Sequence, residues 1–146
     1  MMFFEKFIDL GIVKKQSPDI QRAESLIFES ERKIRQIKRI IEKIGVDKED
    51  ANDLIEGCFD SIMYVIRAIM LIQGFSASGN GAHEAEVYFL KNLHFKEDEI
   101  EFMNKLRYFR NGIMYYGKIF EEEYALKVIA FTDKTISKLK DFLKTK

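Results

Sequence analysis

The residues best equipped for chemistry in this chain stand together in Leu106-Arg107-Tyr108-Phe109-Arg110-Asn111-Gly112-Ile113-Met114-Tyr115-Tyr116-Gly117. At helical spacing, Asn104, Arg107, Tyr108, Asn111 and Tyr115 fall in adjacent sectors, away from a stripe of Leu106, Phe109 and Ile113, and Arg110 lies at the edge between them. Guanidinium forks, an amide and phenol rings offer charge-assisted donors for phosphate and flat faces for bases. The same set would equally make a polar seam between two copies of the chain. A second polar group sits on the helix expected from about 50 to 73. There Ile55, Cys58, Phe59, Ile62, Ile66 and Ile69 surround most of the circumference, and Glu56, Asp60, Tyr64 and Arg67 fill the remaining sector. A polar stripe on an otherwise apolar helix must reach solvent, pair internally or line a cleft. Glu56 and Asp60 are one turn apart and Asp60 and Arg67 two turns, so salt-bridging and cleft lining are both open.

Other candidates carry less. Arg32, Arg35, Arg39 and Lys43 share a narrow sector opposite Ile34, Ile37, Ile41 and Ile44. Such a stripe could follow a phosphate backbone, but it is also the ordinary solvated face of an amphipathic helix. Ser76-Ala77-Ser78-Gly79-Asn80-Gly81 lacks the Gly-Lys-Ser/Thr ending of a phosphate loop and reads as a connector. His83 and His94 have no Ser, Cys or second His beside them, so surface or capping roles are expected. Two histidines and the single Cys58 cannot assemble a zinc-finger set, and neither a metal nor a cofactor is expected.

The elements that must position these residues are helices. Residues 1–17 are expected to be an N-terminal helix or extension, helical over 2–13. Ser17-Pro18-Asp19 opens a helix from Ile20 to Ile44, with a hydroxyl to cap it and Pro where no N–H is needed, and Gly45 closes it. Further helices are expected over about 50–73, 82–92, from 96–99 to near Gly117, and 121–143. No strand-like alternation is found. The expected fold is all-α, an antiparallel up-and-down bundle of five to six helices in a single domain, 1–146.

Composition agrees. The 146 residues are 47% apolar and 33% charged, with 8 Gly and 1 Pro, which excludes a disordered polyelectrolyte and a turn-dense β-sandwich. Lys+Arg 24 against Asp+Glu 24 leaves no net charge, unlike a protein that coats nucleic acid nonspecifically. Ile62 to Ile72, interrupted by Arg67, is too short to span a bilayer, and no secretory signal is present, so no membrane role and a cytoplasmic location are expected.

Over roughly residues 20–143 the chain resembles the HEPN domain family (higher eukaryotes and prokaryotes nucleotide-binding). The resemblance is carried by Leu106-Arg107-x-x-Arg110-Asn111 with Tyr115 five residues after Arg110, by Asp50 to Gln73 followed by Gly74-Phe75, and by Ala82-His83-Glu84-Ala85. It implies a helical homodimer in which two copies of the motif face one cleft. It also implies RNA or nucleotide chemistry, with active members being metal-independent ribonucleases, and a minimal nucleotidyltransferase as a protein partner, often as a toxin and antitoxin pair. Arg110 would match the family arginine, Asn111 the polar residue after it, and Tyr115 or Tyr116 the histidine. Gly117 stands where some members carry a modified tyrosine.

A phenol in place of the imidazole bears on activity, because a group of pKa about 10 is a poor proton carrier at pH 7. The first reading is therefore binding of RNA, a nucleotide or the nucleotidyltransferase, with weak or no catalysis. Arg110, Asn111 and Tyr115 would line the cleft, Arg107, Tyr108 and Tyr116 would flank it, and Glu56, Asp60 and Arg67 would form its opposite wall. The alternatives are a metal-independent endoribonuclease and a purely structural helical dimer.

Overall fold

The computed structural model describes residues 3–117 and 119–144, apart from the side chains of 114–116. The elements are α1 (Phe4–Asp9), β1 (Val13–Lys15), α2 (Ile20–Lys43), α3 (Ala51–Ile72), β2 (Phe75–Ala77), α4 (Ala82–Tyr88), a 3-10 turn (Phe89–Leu93), α5 (Glu97–Tyr116) and α6 (Glu122–Lys144). The fold is an all-α bundle with one small ribbon. No helix among the described residues is long and apolar enough to cross a membrane.

α3 is the central helix because it is apolar nearly all round. Leu54, Ile55, Ile62, Ile66 and Ile69 are each at most 1% exposed, and burial of each such side chain contributes about 1.5–3 kcal/mol. α2 runs antiparallel to it: Ser30 Oγ donates to the Ser61 carbonyl at 2.7 Å, and Ile37 lies against Gly57. Any Cβ at Gly57 would press on Ile37, so the small residue sets how closely the two helices approach.

α6 packs directly on α3, burying Ala125, Val128, Ile136 and Leu139, and α5 beside it has two apolar faces. Ile100, Met103 and Leu106 point into the core, while Phe102 and Phe109 meet Phe120, Tyr124 and Phe131 across from them. Of the expected stripe of Leu106, Phe109 and Ile113, Leu106 is fully buried, Ile113 packs against the core partly buried, and Phe109 joins the aromatic cluster. The start of α5 is fixed by Glu99, which accepts from the Lys96 backbone N–H at 2.8 Å and from Lys138 Nζ of α6 at 3.0 Å.

Two further corrections concern the chain before α2. Val13–Lys15 pairs antiparallel with Phe75–Ala77, a ribbon that sequence alternation did not announce because three-residue strands are too short to show a period. The cap of α2 is Asp19 rather than Ser17: its carboxylate accepts from the Arg22 N–H at 3.1 Å, while its own N–H donates to the Leu71 carbonyl at 3.0 Å. That contact with the end of α3 holds Asp19 outside the helix, so Pro18 precedes the cap.

Candidate functional site

Arg110 follows Ile100, Met103 and Leu106 on the inward face of α5, so its aliphatic stem is packed and its guanidinium is carried toward α3. There Nη2 donates to Asp60 Oδ1 at 3.4 Å, and Cζ lies 5.7 Å from the centre of the Phe59 ring. Asp60 Oδ2 faces Lys33 Nζ of α2 at 3.9 Å. One carboxylate thus stands between two cations from different helices, all three side chains being 20–25% exposed. Arg110 Nε is buried and has no hydrogen-bond partner among the described residues. An unsatisfied buried donor costs roughly 1–3 kcal/mol.

Beside this cluster a groove of about 300 Å³ runs between α2 and α3, lined by Lys33, Gln36, Asp53, Glu56, Gly57 and Asp60 among others. Burial pushes the Glu56 carboxyl up from its ordinary range even though the Arg110 charge pulls the other way. The groove thus holds a carboxyl raised by burial, on the same helix as the Asp60 that Arg110 meets.

The expected site residues are distributed as follows. Arg110 of α5 meets Asp60 of α3, and its charge also acts on Glu56 one turn earlier on α3, but the groove that Glu56 and Asp60 line is formed with α2 and not with α5. Asn111 is half-buried on the same turn of α5 as Arg110. Arg107 is turned toward α4, with Nε on Asn104 Oδ1 at 3.0 Å and Nη2 at 3.8 Å from Glu84 Oε2. Tyr108 is 71% exposed on the outside of α5. Arg67 has its ion pair with Glu86 of α4 rather than with Asp60, through bonds of 2.6 and 3.0 Å. Tyr115 and Tyr116 complete the backbone of α5, and their side chains lie outside the described residues. The stripe Arg35, Arg39 and Lys43 is exposed on the outer face of α2.

Glu86 is the residue that sequence reading missed. Its side chain is 2% exposed, and it also accepts from His83, whose Nδ1 lies 3.1 Å from Oε1. Burial alone would raise its carboxyl, but the bonds from His83 and Arg67 outweigh that and hold it below the ordinary range. The signal was the His83-x-x-Glu86 spacing, which puts both on one face of a helix, with Glu86 flanked by Ala85 and Val87. His94 does act as a cap: it adopts φ 64° at the end of the 3-10 turn. Cys58 is buried against α6, and burial pushes its thiol up to about 11, so it is not poised as a nucleophile. No group of three or more His, Cys, Asp or Glu among the described residues is set to hold a metal ion. No family model and no curated protein matches this chain.

Proposed function

We propose that this chain is a HEPN-like helical protein that binds RNA through its phosphates where α5 meets α3, beside the groove between α2 and α3, with Arg110 as the anchor. The observation that carries the reading is the Arg110 guanidinium. It is packed by its stem and stacked against Phe59, and it retains a buried Nε–H with no acceptor among the described residues. The side chain as a whole is 20% exposed, so a phosphate meets the accessible part of the guanidinium, and the forked geometry of arginine suits two oxygens of one phosphate. Lys33 adds a second positive charge across the cleft, and the exposed Tyr108 ring is available for base stacking. The zero net charge of the chain fits a local site better than a coat of positive charge. A second copy of the chain facing the same cleft, and a nucleotidyltransferase as protein partner, belong to the same proposal through the resemblance.

The test is fluorescence anisotropy with a short labelled single-stranded RNA. Arg110→Ala is expected to weaken binding by roughly ten- to a hundredfold, the loss of one or two charge-assisted bonds of about 1.5–3 kcal/mol in all, and to flatten the salt dependence by about one unit of slope. Arg110→Lys, which keeps the charge without the fork, should fall between. Equal affinity in all three proteins would remove Arg110 as the anchor. Light scattering on the same samples reads the oligomeric state.

A further inference from the structure

Asp60 offers Arg110 the same kind of partner that an RNA phosphate would, an anionic oxygen facing the guanidinium. Its Oδ1 accepts from Arg110 Nη2 at 3.4 Å on the α5 side, and its Oδ2 faces Lys33 Nζ at 3.9 Å on the α2 side. Both distances are long beside the roughly 2.7–2.9 Å of a strong charge-assisted bond, and the hydrogen bond uses one nitrogen of a fork that can offer two. The pair between α3 and α4 shows the fuller grip. There Arg67 holds Glu86 through two nitrogens at 2.6 and 3.0 Å, on a carboxylate that is 2% exposed. Asp60 is 25% exposed, and ion pairs this open to solvent contribute little. The Arg110–Asp60 pair is one that a better ligand can open.

Lys33 gives the displaced carboxylate a destination. An acid with a single cationic partner is left unpaired when it is displaced, and a part-buried charge without a partner is costly. Asp60 stands between two cations, so a turn of its short side chain away from Arg110 keeps the pair with Lys33. An incoming phosphodiester brings two anionic oxygens to the guanidinium freed in this way. A lone carboxylate or a chloride ion offers Arg110 no more than Asp60 already does, so the exchange favours phosphate.

We propose that Asp60 is an internal competitor for Arg110, covering the anchor in the free protein and moving onto Lys33 when an RNA phosphate takes its place. The proposal rests on the RNA-binding reading above and adds the regulation of that site. Lys33 then acts on RNA binding in two ways, through its own charge and by receiving Asp60. The three side chains come from α2, α3 and α5, so the exchange also couples RNA binding to the packing of three helices.

The experiment measures anisotropy of labelled single-stranded RNA with the full chain, in two double-mutant cycles. Asp60→Asn keeps the shape and removes the competing charge, and is expected to tighten binding by roughly two- to fivefold. In an Arg110→Ala background the same substitution should have no effect, because the contested group is gone. Lys33→Met should weaken binding in the wild type by a factor at least about twice that in the Asp60→Asn background, where no carboxylate needs a destination. Circular dichroism checks that each variant is folded, and if Asp60→Asn is not, Asp60→Ser takes its place in both cycles. Weaker or unchanged binding in Asp60→Asn shows that the carboxylate positions Arg110 and overturns the proposal. Tightening that persists without Arg110, or equal effects of Lys33→Met in both backgrounds, shows that Asp60 repels RNA by its charge without moving, and overturns it too. In each of these cases a loss of affinity in Arg110→Ala leaves the binding reading standing. RNA bound by neither the wild type nor Asp60→Asn overturns both.

Discussion

Arg110, Asp60 and Glu56 divide the labour of the cleft unequally. Asp60 holds the guanidinium in place but also occupies one of its faces. Glu56 makes no such bond among the described residues; its burial raises the carboxyl, and Arg110 only partly offsets that. A folded-state value above the unfolded one means that Glu56 favours folding only when protonated, an effect present below the ordinary carboxylate range and lost as pH rises through the raised value. Glu56→Gln is therefore expected to leave thermal stability at pH 7 equal or higher, and to remove this advantage of the variant at pH 4. It should also tighten RNA binding by roughly two- to fivefold, because a carboxylate beside the anchor repels phosphate by up to about 1 kcal/mol at a part-exposed site. Melting curves at the two pH values and anisotropy check the two halves of the prediction. Weaker binding in Glu56→Gln would mean that Glu56 contacts the ligand instead of opposing it.

At the scale of elements, the ribbon and the glycine between α3 and β2 tie the N-terminal segment to the bundle. Gly74 has φ 86°, and its N–H and carbonyl bond to Leu71 and Gln16 respectively. A Cβ there would stand 2.6 Å from the Gln16 carbonyl oxygen. Both the left-handed backbone and this approach exclude a side chain, so Gly74→Ala should destabilise by at least about 1–3 kcal/mol, read as a lower urea midpoint. A midpoint equal to that of the wild type would show that β1 can move away without cost. Sequence reading placed the stop at Gly74 but not its reason, since the clash is with a residue from the other side of α2. The helix ends at Gly45 and Gly117 were legible for the opposite reason: they depend only on local backbone conformation, and both glycines adopt positive φ.

Across the whole molecule, ion pairs join helices that apolar packing has already brought close. Arg67–Glu86 links α3 to α4, Lys33–Asp60–Arg110 links α2, α3 and α5, and Lys138–Glu99 links α6 to α5. For Glu99, as for Glu86, burial would raise the carboxyl, but the Lys96 and Lys138 bonds prevail and lower it. Folded values below the unfolded ones mean that this stabilisation is complete above the ordinary value of 4.5 and is lost as pH falls below it toward the depressed folded values. Urea midpoints should therefore be level from pH 8 to about 5.5 and decline below 4.5, and Glu86→Gln should make the decline shallower. A decline of equal steepness in the variant would place the acid sensitivity elsewhere.

The sequence by itself determined the all-α class, the apolar circumference of α3 and the cluster of chemical groups on α5. Each of these is a matter of spacing along one helix or of backbone freedom at one residue. Tertiary structure alone decided which groups meet. Asp60 faces Arg110 across fifty positions, and Arg67 turns from Asp60 to Glu86. Periodicity assigns a side chain to a face. Its partner is chosen by the crossing of two helices and by which side chains are close enough to offset the cost of leaving water.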